Sequence, residues 1–186
     1  MTYGIFILGT AGSGKSLLTA SLSEWLSRKG ENAVTLNLDP GVVRLPYKPD
    51  VDVRDYVSIE ELMDAYGLGP NGALLLASDL IVDKISDINR EIEELNPTYV
   101  LVDTPGQMEV FVFRKSGEAI YEQFRDANIH ILTIFVADIT LASSPSLFVS
   151  SLFLSASTYY RYLTCLLYTS DAADELDGVD LGGRRI

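Results

Sequence analysis

Apolar residues in this chain come as short runs alternating with segments of helical spacing. Tyr3 to Leu8 is an apolar run stopped by glycine, which predicts a buried strand. From Lys15 to Lys29, Leu17, Leu18, Leu22, Trp25 and Leu26 fall on one helical stripe, and Gly30 ends it. Ala33 to Leu38 predicts a second strand. Ile59 to Tyr66 predicts a short helix, with Ser58 as N-cap and Glu61 completing a capping box. Gly67 to Gly72 breaks it. A longer helix is expected from about Ala73 to Leu95, where Asn96-Pro97 stops it. Tyr99 to Val102 and Ile129 to Ala137 predict two more strands, and Ser116 to Phe124 and Ser146 to Leu163 two more helices. Asp39 to Val57, with Pro40, Pro46 and Pro49, has no clear period and reads as a long functional loop. Alternating strands and helices predict an α/β fold with a mostly parallel central sheet.

Composition narrows the class. A chain of 186 residues with 47% hydrophobic and 22% charged content suits one globular domain. A formal charge of −12 argues against a general nucleic-acid binder, which needs a basic face for phosphate backbones. The single cysteine, Cys165, supplies no disulfide framework and fits a cytoplasmic protein. Met1-Thr2-Tyr3 has no basic region, so no signal peptide is expected. Leu147 to Tyr168, the most apolar later stretch, contains four serines and Arg161. That predicts a buried helix and no membrane contact.

The glycine loop carries the first chemistry. Gly9, Thr10, Ala11, Gly12, Ser13, Gly14, Lys15 and Ser16 form Gly-x4-Gly-Lys-Ser between a predicted strand and a predicted helix. Its glycines let backbone N–H groups turn inward around phosphate oxygens, at the positive end of the helix dipole. Lys15 is expected to reach the β- and γ-phosphates, and the Ser16 hydroxyl to ligate Mg2+. The context therefore predicts the three-layer P-loop NTPase version of the α/β fold, binding a nucleoside triphosphate with magnesium.

Asp103-Thr-Pro-Gly106 follows the third strand. An aspartate at that strand end can hold magnesium through water, and the Gly106 amide can sense the γ-phosphate. Asp39 ends the second strand, where a parallel sheet faces its ligand, so it could reach the attacking water or the magnesium shell. Gly69-Pro70-Asn71 taken alone is a loop between helices.

Together, the P-loop, Asn37-Leu-Asp-Pro40, Leu68-Gly-Pro-Asn-Gly72 and Asp103-Thr-Pro-Gly-Gln-Met-Glu109 resemble the GPN-loop GTPases, most nearly archaeal-type members. Tyr47-Lys-Pro-Asp-Val-Asp-Val-Arg-Asp55 and Ala142 to Ser150 are similar to that family too. The resemblance runs from about Met1 to Leu163. It implies a GTPase that hydrolyses GTP to GDP and phosphate with Mg2+ as a homodimer. It implies that Gly69, Pro70 and Asn71 act on the partner's nucleotide, and that Gln107 orients water. Asp39 and Glu109 would complete the surrounding polar network. The resemblance also admits an assembly factor whose nucleotide controls protein contacts.

The chain departs from the family where the base should be read. The family's Asn/Thr/Ser-Lys-x-Asp motif is due on the strand after Leu163, but Thr169-Ser170-Asp171 lacks the lysine. Cys165 to Glu175 resembles translated read-through of a sequencing adapter. The expected organisation is an incomplete P-loop GTPase domain over 1–164, its C-terminal part missing, and a non-native or disordered tail over 165–186. Such a chain would expose an apolar sheet edge and the underside of the Ser146 helix, giving poor solubility or an inactive fragment. Other P-loop ATPases and nucleotide kinases are alternatives. Arg44, Arg54 and Arg114 show no kinase-lid arrangement, and positions 10 and 11 lack the extra lysine of MinD-like ATPases. Three lesser features carry structural readings. His130 is a lone strand histidine, Tyr159, Tyr160 and Tyr162 are helix core, and the charges of Asp83 to Glu94 form a solvated face.

Overall fold

A computed structural model describes residues 1–107, 111–162 and 165–169. Its strands are β1 Tyr3–Gly9, β2 Ala33–Asn37, β3 Val51–Asp52, β4 Tyr99–Asp103, β5 His130–Asp138 and β6 Cys165–Thr169. They form one sheet in the order β3-β2-β4-β1-β5-β6, and every pairing is parallel. The helices are α1 Lys15–Arg28, α2 Ile59–Tyr66, α3 Pro70–Glu94, α4 Lys115–Asp126 and α5 Pro145–Tyr162. This is the expected α/β fold, with the P-loop strand near the middle of the sheet.

Period-two alternation along β1 divides the core. Phe6 and Leu8 join Ile81, Ile85, Ile88 and Ile92 of α3 and Phe124 of α4. Ile5 and Ile7 face the other way and meet Leu26 of α1, with Leu101 and Val136. Helices thus cover both faces, as a parallel sheet requires. The isoleucine stripe of α3 is wholly buried, so cutting any one to alanine would cost about 2–5 kcal/mol.

The structure revises several expectations. On α1 the buried residues are Lys15, Thr19 and Leu26. Leu17 and Trp25, expected on the core stripe, are 63% and 54% exposed, because α1 packs on the sheet through a narrower face. Helix α3 starts at Pro70 with Gly69 as its N-cap, three residues before the expected start. Proline suits that position, since a first-turn amide has no partner to lose and φ is already helical. The long loop contains β3 and a short 3-10 turn, Val53–Asp55, and a two-residue strand carries no alternation to read. Ser58 accepts from the Glu61 amide at 3.2 Å as expected, but its own hydroxyl donates to Glu60.

Within the span read as a tail, Cys165–Thr169 pairs along β5 from Ile134↔Cys165 to Asp138↔Thr169. The rest of that span lies outside the described residues. β6 thus covers the edge of β5, while α5 turns Leu147, Phe148, Val149, Leu152 and Phe153 outward. Of its tyrosines, Tyr162 is core as expected, but Tyr159 and Tyr160 are exposed. Among the described residues no helix is long and apolar enough to cross a membrane.

Tyr56, which follows the 3-10 turn, donates to Glu91 Oε2 of α3 at 2.6 Å. Burial first, then this bond and the nearby acidic charges, push its phenol up to about 12. The folded-state value lies above the unfolded one of about 10, so the contact contributes fully below pH 10 and is lost as pH rises through 12. Tyr56→Phe should therefore cost about 0.5–1 kcal/mol near neutrality for this partly exposed bond. In urea melts, the gap from wild type should close above pH 10.

Candidate functional site

The sheet register sets the site. Asp103 lies opposite Ile7 on β1 and opposite Asn37 on β2, so the loops leaving all three strands share one edge. The P-loop starts at Gly9, where an added Cβ would lie 2.4 Å from the Val136 carbonyl oxygen on β5. No side chain fits that approach. Gly14, at φ +94°, is the N-cap of α1, and no side chain caps the helix. The first amides of α1 therefore suit an anion. Around Gly12 and Gly14 an added Cβ would meet nothing within 4 Å, so there is open space beside the loop at both glycines.

Lys15 opens α1 and is only 6% exposed. Its ammonium donates to the Thr10 carbonyl at 3.0 Å. Burial pushes its pKa down, opposed by the charges of Asp103 and Asp39. Asp103 is 1% exposed. Its Oδ2 accepts from the Tyr47 hydroxyl at 3.0 Å, while the buried Oδ1 has no hydrogen-bond partner among the described residues. Burial raises the Asp103 carboxyl, and the hydroxyls of Ser16 and Tyr47 and the charge of Lys15 oppose the rise.

Asp39 is the third charged group. Its Oδ1 accepts from the Gly41 amide at 2.9 Å. Burial raises this carboxyl as well, opposed by the Gly41 amide, the Lys15 charge and the Gly106 amide. Asn37 holds the turn by accepting from the Asp39 amide at 3.0 Å and donating to the Asp39 carbonyl at 3.1 Å. Asn37 also donates to Asp52, which pairs with Arg54 at 2.6 Å, and Arg54 donates to the Val42 carbonyl. Thr104 donates to the Ile7 carbonyl at 2.7 Å, tying the loop after β4 to β1. In that loop Gly106 packs on the P-loop, where an added Cβ would lie 3.0 Å from Ala11 Cα.

Thus the structure gathers Lys15, Ser16, Asp39, Asp103 and Gly106 around one loop. Gln107 and Asn71 sit farther out. Both line a cavity of about 420 Å³, with Pro40, Gly41, Arg54 and Pro70. Glu109 lies outside the described residues. The sequence placed Asn37 and the segment from Tyr47 to Asp55 in family-like motifs but gave Asn37, Tyr47, Asp52 and Arg54 no individual role, since the partners of single polar residues carry no spacing signal. Arg54 and Arg114 are paired with Asp52 and Asp79, which leaves neither in a lid.

Ser16 and Asp103 suit a magnesium ion. No group of three or more His, Cys, Asp or Glu able to hold a metal occurs among the described residues. A cation here must therefore draw its other ligands from water and phosphate, as magnesium does beside nucleotides. Asp103 Oδ1, buried outside hydrogen-bond distance of any described donor on a carboxylate that the Ser16 hydroxyl also acts on, supplies the buried oxygen such an ion needs.

The chain is similar to several known proteins. A family model described as a conserved hypothetical ATP binding protein matches residues 7–178. GPN-loop GTPase 1 of Schizosaccharomyces pombe is 34% identical over 175 residues, covering 93% of this chain and 47% of that protein. A GPN-loop GTPase of Pyrococcus abyssi is 38% identical over 144 residues, covering 76% and 56%. The chain spans about half the length of these curated relatives. The crystal structure of a Pyrococcus abyssi GTPase in apo form matches with a TM-score of 0.75 at 33% identity, over 89% of this chain and 65% of that one.

Proposed function

Because this chain belongs to the GPN-loop GTPase family, we propose that it binds GTP with Mg2+ in the cytoplasm and hydrolyses it to GDP and phosphate, working as a homodimer. The observation that carries this reading is the buried pair Lys15 and Asp103, with the half-buried Asp39 beside them, behind an open glycine loop. Three charges so placed are costly unless a highly charged ligand completes them.

The P-loop amides and the N-terminus of α1 bind the phosphate oxygens. Lys15 exchanges the Thr10 carbonyl for the β- and γ-phosphates. Ser16 and Asp103 would hold Mg2+, which would supply neutralisation of the phosphate charge. Gln107 orients the attacking water, with Asp39 and Glu109 in the network around it. Asn71, at the first turn of α3, reaches a second copy's nucleotide with Gly69 and Pro70. The preference for guanine rests on the relatives.

The test is turnover with equal GTP and ATP in magnesium. Faster phosphate release from GTP supports the proposal, and a preference for ATP would sink it.

A further inference from the structure

Tyr47 belongs to none of the P-loop, Asp-Thr-Pro-Gly or Gly-Pro-Asn segments, yet it alone among the described hydrogen bonds closes on Asp103 Oδ2, at 3.0 Å. The two carboxylate oxygens are thus divided. Oδ2 is held by the phenol, while Oδ1 is buried outside hydrogen-bond distance of any described donor, and the Ser16 hydroxyl also acts on the carboxylate from close by. An aspartate left to itself rotates broadly about its terminal torsion, and either oxygen can present itself. A donor fixed on one oxygen removes that freedom.

The phenol is itself fixed. Asp50, three residues on, is stapled to β2: its Oδ2 accepts from the Thr35 amide and hydroxyl, each at 2.8 Å. The Asp50 amide returns bonds to the Thr35 carbonyl at 3.0 Å and hydroxyl at 3.1 Å. Upstream, the loop is anchored by Asn37 on Asp39 and by Arg54 on Val42. Pro46 and Pro49 flank the segment and limit its backbone freedom. The loop between β2 and β3 therefore delivers one hydroxyl to one oxygen from a braced position.

We propose that Tyr47 is a positioning residue for magnesium: its hydroxyl holds Asp103 Oδ2 so that Oδ1 is presented to the cation. This rests on the assignment of Ser16 and Asp103 as magnesium residues and adds a residue that sets their affinity for the ion. Seating of the 39–50 loop and occupation of the metal site are then coupled through one hydrogen bond.

The test is a MgCl2 titration of the EDTA-treated full chain, read by the fluorescence of bound methylanthraniloyl-GTP. Tyr47→Phe keeps the ring and removes the donor. It should raise the magnesium concentration at half-saturation about tenfold, as loss of an outer-shell partner does. Affinity for the nucleotide in EDTA should stay within about twofold, because the phosphate loop is untouched. Pro46→Gly keeps the phenol but loosens its exposed loop, and should shift the midpoint in the same direction by about threefold. It decides the matter if Tyr47→Phe does not fold. An unchanged midpoint overturns the proposal. So does a lower one, which would make the phenol a competitor of the ion. A wild-type chain that binds the nucleotide with no magnesium dependence overturns the underlying metal assignment instead.

Discussion

Lys15→Met should lower the affinity for GTP by roughly a thousandfold, about 4 kcal/mol. Lys15 is 6% exposed, so methionine is the better replacement: it fills the same slot, whereas alanine would add a cavity to a charge deletion. The ammonium donates to the Thr10 carbonyl, a neutral acceptor that phosphate oxygens would replace. That exchange turns a single charge-assisted bond into contact between a cation and a multiply charged anion inside a desolvated loop, where it counts most. Deleting it leaves Asp39 and Asp103 without the positive charge that offsets their burial. Those carboxylates then repel the triphosphate. Calorimetric titration of both proteins, with circular dichroism to show that the variant is folded, measures the effect. A loss below about tenfold would mean that Lys15 does not touch phosphate.

Asp103→Asn should abolish the magnesium-dependent part of GTP binding, roughly a hundredfold or about 3 kcal/mol. The substitution preserves shape, and an asparagine oxygen can still accept from Tyr47. In EDTA the sign should reverse, with the variant binding GTP at least as tightly as wild type. The reason is electrostatic, since a buried negative charge beside the phosphates is repulsive until a cation neutralises it. Comparing affinities with and without Mg2+ therefore separates a metal residue from a merely structural one. A structural aspartate would lose affinity equally in both conditions.

Legibility differed along the chain for physical reasons. Strands β1, β2, β4 and β5 and helices α1, α2, α4 and α5 were readable because continuous apolar runs or a helical period, bounded by glycine or proline, mark them locally. The phosphate loop was readable because its chemistry is confined to eight consecutive residues. Asp39, Asp103 and Gly106 were readable in position, since each follows a predicted strand. What they touch was not. The packing of Gly106 on Ala11 and the contribution of its amide to the Asp39 carboxylate join segments remote in sequence.

The aperiodic stretch from Asp39 to Val57 failed most. β3 gains its strand character from pairing with Leu36 and Asn37, not from its own two residues. The outward side of α1 is a similar case. Leu17 and Trp25 have core-like composition and spacing, and only the docking of α1 on the sheet leaves them exposed. The chain's own sequence determined that a strand, a glycine loop and a helix would make a phosphate cradle, because those preferences are local. The tertiary structure alone decided which side chains close the cradle, because parallel strands bring the ends of β1, β2 and β4 to one edge. There Tyr47, Asn37 and Asp52 meet the site through hydrogen bonds that no spacing along the chain encodes.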